Sequence, residues 1–149
     1  MTSTTQEKLG SYATHQRNKE DSRETDARAL LSCASRLRAA LEAGGNDMKA
    51  YGDAVRHNQR LWTLFQIALC DAENPLPEDL KMTLLSLSRY VDKVSFRAIT
   101  AFSPELLTSL IEINRKIAAG LNASRKTQAA FPSKVETTAS AASVVMTTA

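Results

Sequence analysis

The chain has 149 residues, enough for one domain around one core, and 43% of it is hydrophobic. Its formal net charge of +3 is scattered, with five basic and five acidic side chains in residues 1–28 and four against two in residues 103–128. That is too diffuse for a nucleic-acid footprint, which gathers basic residues on one face, and no window approaches the roughly 18 apolar residues of a membrane-spanning helix.

Residues 1–18 are polar and read as an arm. Leu9 and Tyr12 are its isolated apolar groups, and Tyr12 is a candidate contact because such a segment can fold onto the bundle or a client. The segment lacks the apolar run of a signal peptide, so the expected address is the cytoplasm.

A first helix is expected from about Asp21, with Glu24 three residues on as in a capping box. Its apolar residues Ala27, Leu30, Leu31, Ala34, Leu37 and Leu41 recur at helical spacing, and Gly44-Gly45 stops it. Asp47 caps a second helix, in which Met48, Tyr51, Val55, Asn58, Trp62, Phe65 and Leu69 advance alternately by three and four. Leu61 and Leu64 widen that stripe, so more than one neighbouring helix is implied.

Asn74-Pro75-Leu76-Pro77 breaks the chain. Pro77 suits a first helical turn and Glu78 and Asp79 place negative charge at its positive end. The third helix carries Leu80, Leu84, Leu87, Val91, Val94 and Ala98. Ser103-Pro104-Glu105 starts a fourth, with Leu106 or Leu107, Leu110, Ile111 or Ile113, Ile117 and Leu121 inward and Gly120 as a left-handed stop. Beyond Ser124 the composition turns to Ala, Ser, Thr and Val. The expected division is an arm at 1–18, a helical domain at 19–123 and a disordered tail at 124–149. Short connections favour antiparallel neighbours, so the expected fold is an all-α antiparallel four-helix bundle, with its first helix the least firmly held.

No catalytic machinery is recognisable. His15 and His57 have no nucleophile placed beside them, and Asp71 and Glu73 read as helix-end caps rather than as an acid–base pair. Cys33 and Cys70 lack metal-ligand spacing and read as reduced core thiols. No phosphate loop or metal cluster is present, so neither enzyme activity nor a cofactor is expected.

What remains is surfaces. Asn58 in an apolar seam reads as an interhelical hydrogen bond that fixes register, or as a partner contact. Trp62 reads as a core anchor, or as part of an interface. Arg60 reads equally as a solvated charge or a contact.

The chain resembles the FlaF family of flagellar biosynthesis regulators. The likeness rests on Asn58-Gln59-Arg60-Leu61-Trp62, on Asn74-Pro75-Leu76-Pro77-Glu78-Asp79-Leu80, on residues 84–91 from Leu84 to Val91, and on residues 110–121 from Leu110 through Asn114 and Arg115 to Leu121. Ser11-Tyr12-Ala13 followed by Arg23-Glu24 is similar to the family's opening. The likeness spans about residues 10–121. It departs at Tyr90, where family members often carry a second tryptophan, and in the extensions at both ends.

The resemblance implies a non-enzymatic accessory protein that binds flagellin as an export chaperone and regulates flagellin production after transcription. It makes Tyr12, Asn58, Arg60, Leu61, Trp62, Asn114 and Arg115 the candidates for partner contact. The regulator FlbT is a second possible partner, and binding of flagellin messenger RNA, through Arg56, Arg60, Arg115 and Lys116, is the alternative.

Overall fold

A computed structural model describes the backbone of residues 3–130 apart from Pro75, and the side chains of residues 6–14, 23–74 and 76–123. The described residues form an all-α bundle without a strand: α1 (Ser3–Glu42), α2 (Met48–Cys70), α3 (Glu78–Thr100) and α4 (Pro104–Ala130), with a short 3-10 turn at Gly44–Asn46 between the first two.

The helix boundaries follow local chemistry. Gly44 takes a φ of +63°, a left-handed geometry that costs glycine little, and α1 ends beside it. The Asp47 carboxylate accepts from the Ala50 backbone N–H at 3.0 Å and so caps α2. The Ser103 hydroxyl accepts from the Leu106 N–H at 3.4 Å, with Pro104 as the first residue of α4. Pro77 stands just before α3, and Glu78 and Asp79 occupy its first turn, where carboxylates meet unpaired N–H groups.

Several expectations change. α1 starts at Ser3 rather than near Asp21, so residues 3–18 are helix and not an unfolded arm. Nothing in that polar stretch breaks a helix except Gly10, and a lone glycine is tolerated. Gly120 does not stop α4, which runs on to Ala130, past the boundary drawn at 124. Met48 opens the α2 seam but is half-exposed, because it lies on the first helical turn. Cys70 is exposed on the last turn of α2, while Cys33 is buried as expected and burial raises its thiol pKa. The expected roles of Pro75, of the Asp21 side chain and of the tail over residues 131–149 lie outside the described residues.

The first helix is also not the loosest. α1 packs most extensively against α4 and then against α2. Arg23, Asp26, Ala27, Leu30, Cys33, Ala34, Leu37 and Ala40 form its buried row. Leu30 and Leu37 are wholly buried, each stabilising by about 1.5–3 kcal/mol relative to exposure.

Tyr51, at the start of α2, binds the far end of α3. Its hydroxyl donates to the Ala98 carbonyl at 2.6 Å and accepts from the Ser103 N–H at 3.3 Å, and its ring packs on Phe102 at 5.2 Å. At the other end Leu69 of α2 joins Leu76 and Leu80. α2 and α3 therefore run in opposite directions. Burial pushes the Tyr51 phenol above its ordinary pKa, against the pull of the Ser103 N–H. Tyr51→Phe keeps the ring and leaves the Ser103 N–H without its acceptor. It is expected to cost about 1–2 kcal/mol in chemical denaturation, with no change in helix content by circular dichroism.

Candidate functional site

α2 and α4 face each other across the interior, their backbones farther apart than the packed helix pairs, and polar side chains span the gap. Asn114 of α4 stands at the centre. Its Oδ1 accepts from the Trp62 indole Nε1–H at 2.9 Å, and its Nδ2 donates to Asn58 Oδ1 at 2.6 Å and to the Leu30 carbonyl of α1 at 3.3 Å. One side chain thus holds three helices in register. Asn58 and Asn114 are wholly buried and Trp62 nearly so. The Asn58 Nδ2 has no partner, so this cluster is satisfied on every atom but one. Trp62 also meets Phe65 edge-on at 5.4 Å.

The interhelical hydrogen bond expected of Asn58 is present, and Trp62 sits in the core. In this packing neither they nor Asn114 offer a surface to a partner. The other candidates lie outside this centre. Tyr12 is 75% exposed on α1 and Arg60 is exposed on α2, while Leu61 is half-buried against the core. Arg115 lines a shallow groove between α1 and α4 with Leu31, Arg38 and Glu42. The structure therefore divides the seven candidates into an internal polar centre and separate outer positions.

Sequence reading passed over five buried polar residues, among them Ser88, whose hydroxyl donates to the Leu85 carbonyl at 2.8 Å. Asn74 donates from Nδ2 to the Ala68 carbonyl at 2.9 Å and accepts from the Leu76 N–H at 3.0 Å, so one amide side chain ties the end of α2 to the turn. Ser95 returns its hydroxyl to the Val91 carbonyl at 2.6 Å. Arg23 and Asp26, one turn apart on α1, are buried in line with Leu30 and Leu37. Their place in that periodic row was the available signal. Burial carries the Asp26 carboxyl from 3.8 to about 8. The His57 imidazole is held below its usual pKa, first by burial and then by Arg36 and Arg60. Asp71 Oδ1 accepts from the Glu73 N–H at 2.9 Å, a local turn bond. The His15 side chain lies outside the described residues.

Among the described residues no group of three or more His, Cys, Asp or Glu could hold a metal ion, and no helix is long and apolar enough to cross a membrane. What the chain offers is a rigid centre and wide helical faces. Residues 8–121 match the family described as flagellar protein FlaF. The chain belongs to the FlaF family. The FlaF match takes in the whole polar centre and all of α2 and α3, and it ends inside α4. FlaF is a flagellar regulatory family, so membership gives this chain a role in flagellar regulation. No curated protein and no solved structure matched the chain.

Proposed function

We propose that this FlaF chain binds flagellin in the cytoplasm as a non-enzymatic export chaperone, and through that binding regulates flagellin production after transcription. The family match is the observation that carries the flagellar part of the reading. The physical support is an excess of large apolar side chains turned outward, among them Leu9, Tyr12 and Phe96, on a domain whose core is already filled. Flagellin's terminal segments are amphipathic and must stay unpolymerised before export. A small helical protein can cover their apolar face by helix-against-helix packing.

The RNA alternative has less support. At about 100° per residue, Arg56 and Arg60 lie roughly 160° round α2 from Asn58, the residue that faces α4. They point away from Arg115 and Lys116, and Arg56 lies within 3.8 Å of Asp53. The four basic residues do not make one face.

Calorimetric titration tests the reading. Purified chain should bind flagellin stoichiometrically and lose that binding when the terminal segments of flagellin are removed. Absence of heat with intact flagellin overturns it. Titration with FlbT alone and with flagellin messenger RNA separates the other readings, the RNA one by an affinity that falls steeply with salt.

A further inference from the structure

α3 packs chiefly on α2 and less on α4, which leaves much of its outer side uncovered. Val91, Val94 and Ala98 point inward. On the other side, at about 100° per residue, Met82, Arg89, Tyr90, Lys93, Phe96 and Arg97 fall within an arc of roughly 120°. All six are exposed, with Met82 at 51%, Tyr90 at 49% and Phe96 at 70%.

The charge on this face is one-sided. From Met82 to Arg97 no carboxylate lies in the arc. Asp92, at its edge, is half-buried and accepts from the Gln66 Nε2 at 2.8 Å. Glu78 and Asp79 sit at the far end, in the first turn. Arg89, Lys93 and Arg97 take part in no ion pair among the described residues. Their methylene stems add apolar surface beside the two rings and the thioether.

We propose that this outer face of α3 is the surface that receives flagellin's terminal segment, as an amphipathic helix that carries carboxylates beside its apolar side chains. The inference rests on the flagellin-binding reading above. Met82, Tyr90 and Phe96 stand eight and six residues apart, with Tyr90 and Phe96 at opposite edges of the arc and Met82 between them, a broad face that a second helix can cover. Arg89, Lys93 and Arg97, unpaired among the described residues, fall between these apolar side chains round the arc, and they favour acidic groups on the incoming helix and disfavour basic ones. RNA fits less well. Three charges on one helix make a short electrostatic track, and the chain's net charge is only +3.

The test is titration of intact flagellin into the full chain and into Phe96→Glu, Lys93→Glu and, as a control on α2, Ile67→Glu. All three positions are exposed, so melting temperature and circular dichroism should match the parent. Phe96→Glu is expected to weaken binding by at least about tenfold, as loss of an aromatic anchor does. Lys93→Glu should weaken it less and flatten its salt dependence, and Ile67→Glu should leave it within about twofold. No binding by the parent chain overturns the flagellin reading. Parent binding that Phe96→Glu leaves unchanged, or that Ile67→Glu reduces equally, overturns the α3 surface while leaving that reading in place. A loss of RNA binding in Phe96→Glu with flagellin binding intact also overturns it.

Discussion

Asn114→Leu is expected to destabilise the fold by about 3–4 kcal/mol, because it strands two buried groups on α2. The Trp62 indole N–H loses its acceptor and Asn58 Oδ1 its donor, both in an interior without described alternatives. The bond to the Leu30 carbonyl goes as well, though that carbonyl keeps its place in the α1 ladder. Removing the remaining polar groups should recover part of the loss. Adding Asn58→Leu and Trp62→Phe leaves an apolar centre with nothing stranded, and also removes the Asn58 Nδ2 that has no partner in the native fold. The signature is therefore non-additivity: the triple variant should be more stable than Asn114→Leu alone, with coupling of about 1–3 kcal/mol in equilibrium urea unfolding. A single variant that costs less than about 1 kcal/mol, or three costs that simply sum, would show that the centre is not one unit. What the polar groups contribute beyond stability is register, since only one alignment of α1, α2 and α4 brings all four partners together. A stable triple variant with broadened amide resonances would reveal that loss.

Much of this architecture was legible because amphipathic helices advertise their period. The alternating three and four spacing from Tyr51 to Leu69 places every seam residue in the core, and the Asp47 and Ser103 caps stand where the signals put them. The misses share a physical cause. Residues 3–18 of α1 show no apolar row, and a helix without a packed face leaves no periodic signal. Gly120 failed as a stop because glycine ends a helix only when the backbone turns left-handed, and its φ is not positive. The pairing of Asn58 with Asn114 links positions 56 residues apart. A sequence can show that a polar residue stands in a seam, but the partner depends on how helices cross. For the candidate site the division is sharper still. Family likeness drew attention to Asn58, Trp62 and Asn114, which fold inward, while Phe96 and Lys93 carried no motif, and the apolar period of α3 marked them only as lying off its inward row.

Asp26→Asn is expected to stabilise the protein, by an amount that grows with pH. Asp26 is 8% exposed on the buried row of α1, and its Oδ2 has no hydrogen-bond partner. Desolvation penalises the charged form, which is why its carboxyl is carried from 3.8 to about 8. The sign follows from proton linkage. Between these two values the folded chain holds a proton that the unfolded chain has released, so raising the pH favours the unfolded state. Native stability should fall by about 1.4 kcal/mol per pH unit across that window, and level off above it. Below about pH 4 both states hold the proton and the penalty vanishes. Asparagine keeps the shape without the titration, so Asp26→Asn should match the parent at pH 4 and exceed it by a few kcal/mol at pH 7. Thermal or urea unfolding at intervals between pH 4 and 8 separates this from the opposite case. If the carboxylate were instead held charged by Arg23, buried one turn before it, the parent would gain stability as pH rises above 4 and Asp26→Asn would be the weaker protein at pH 7. The direction of the pH slope therefore decides which charge state of Asp26 the packing of α1 has been built around.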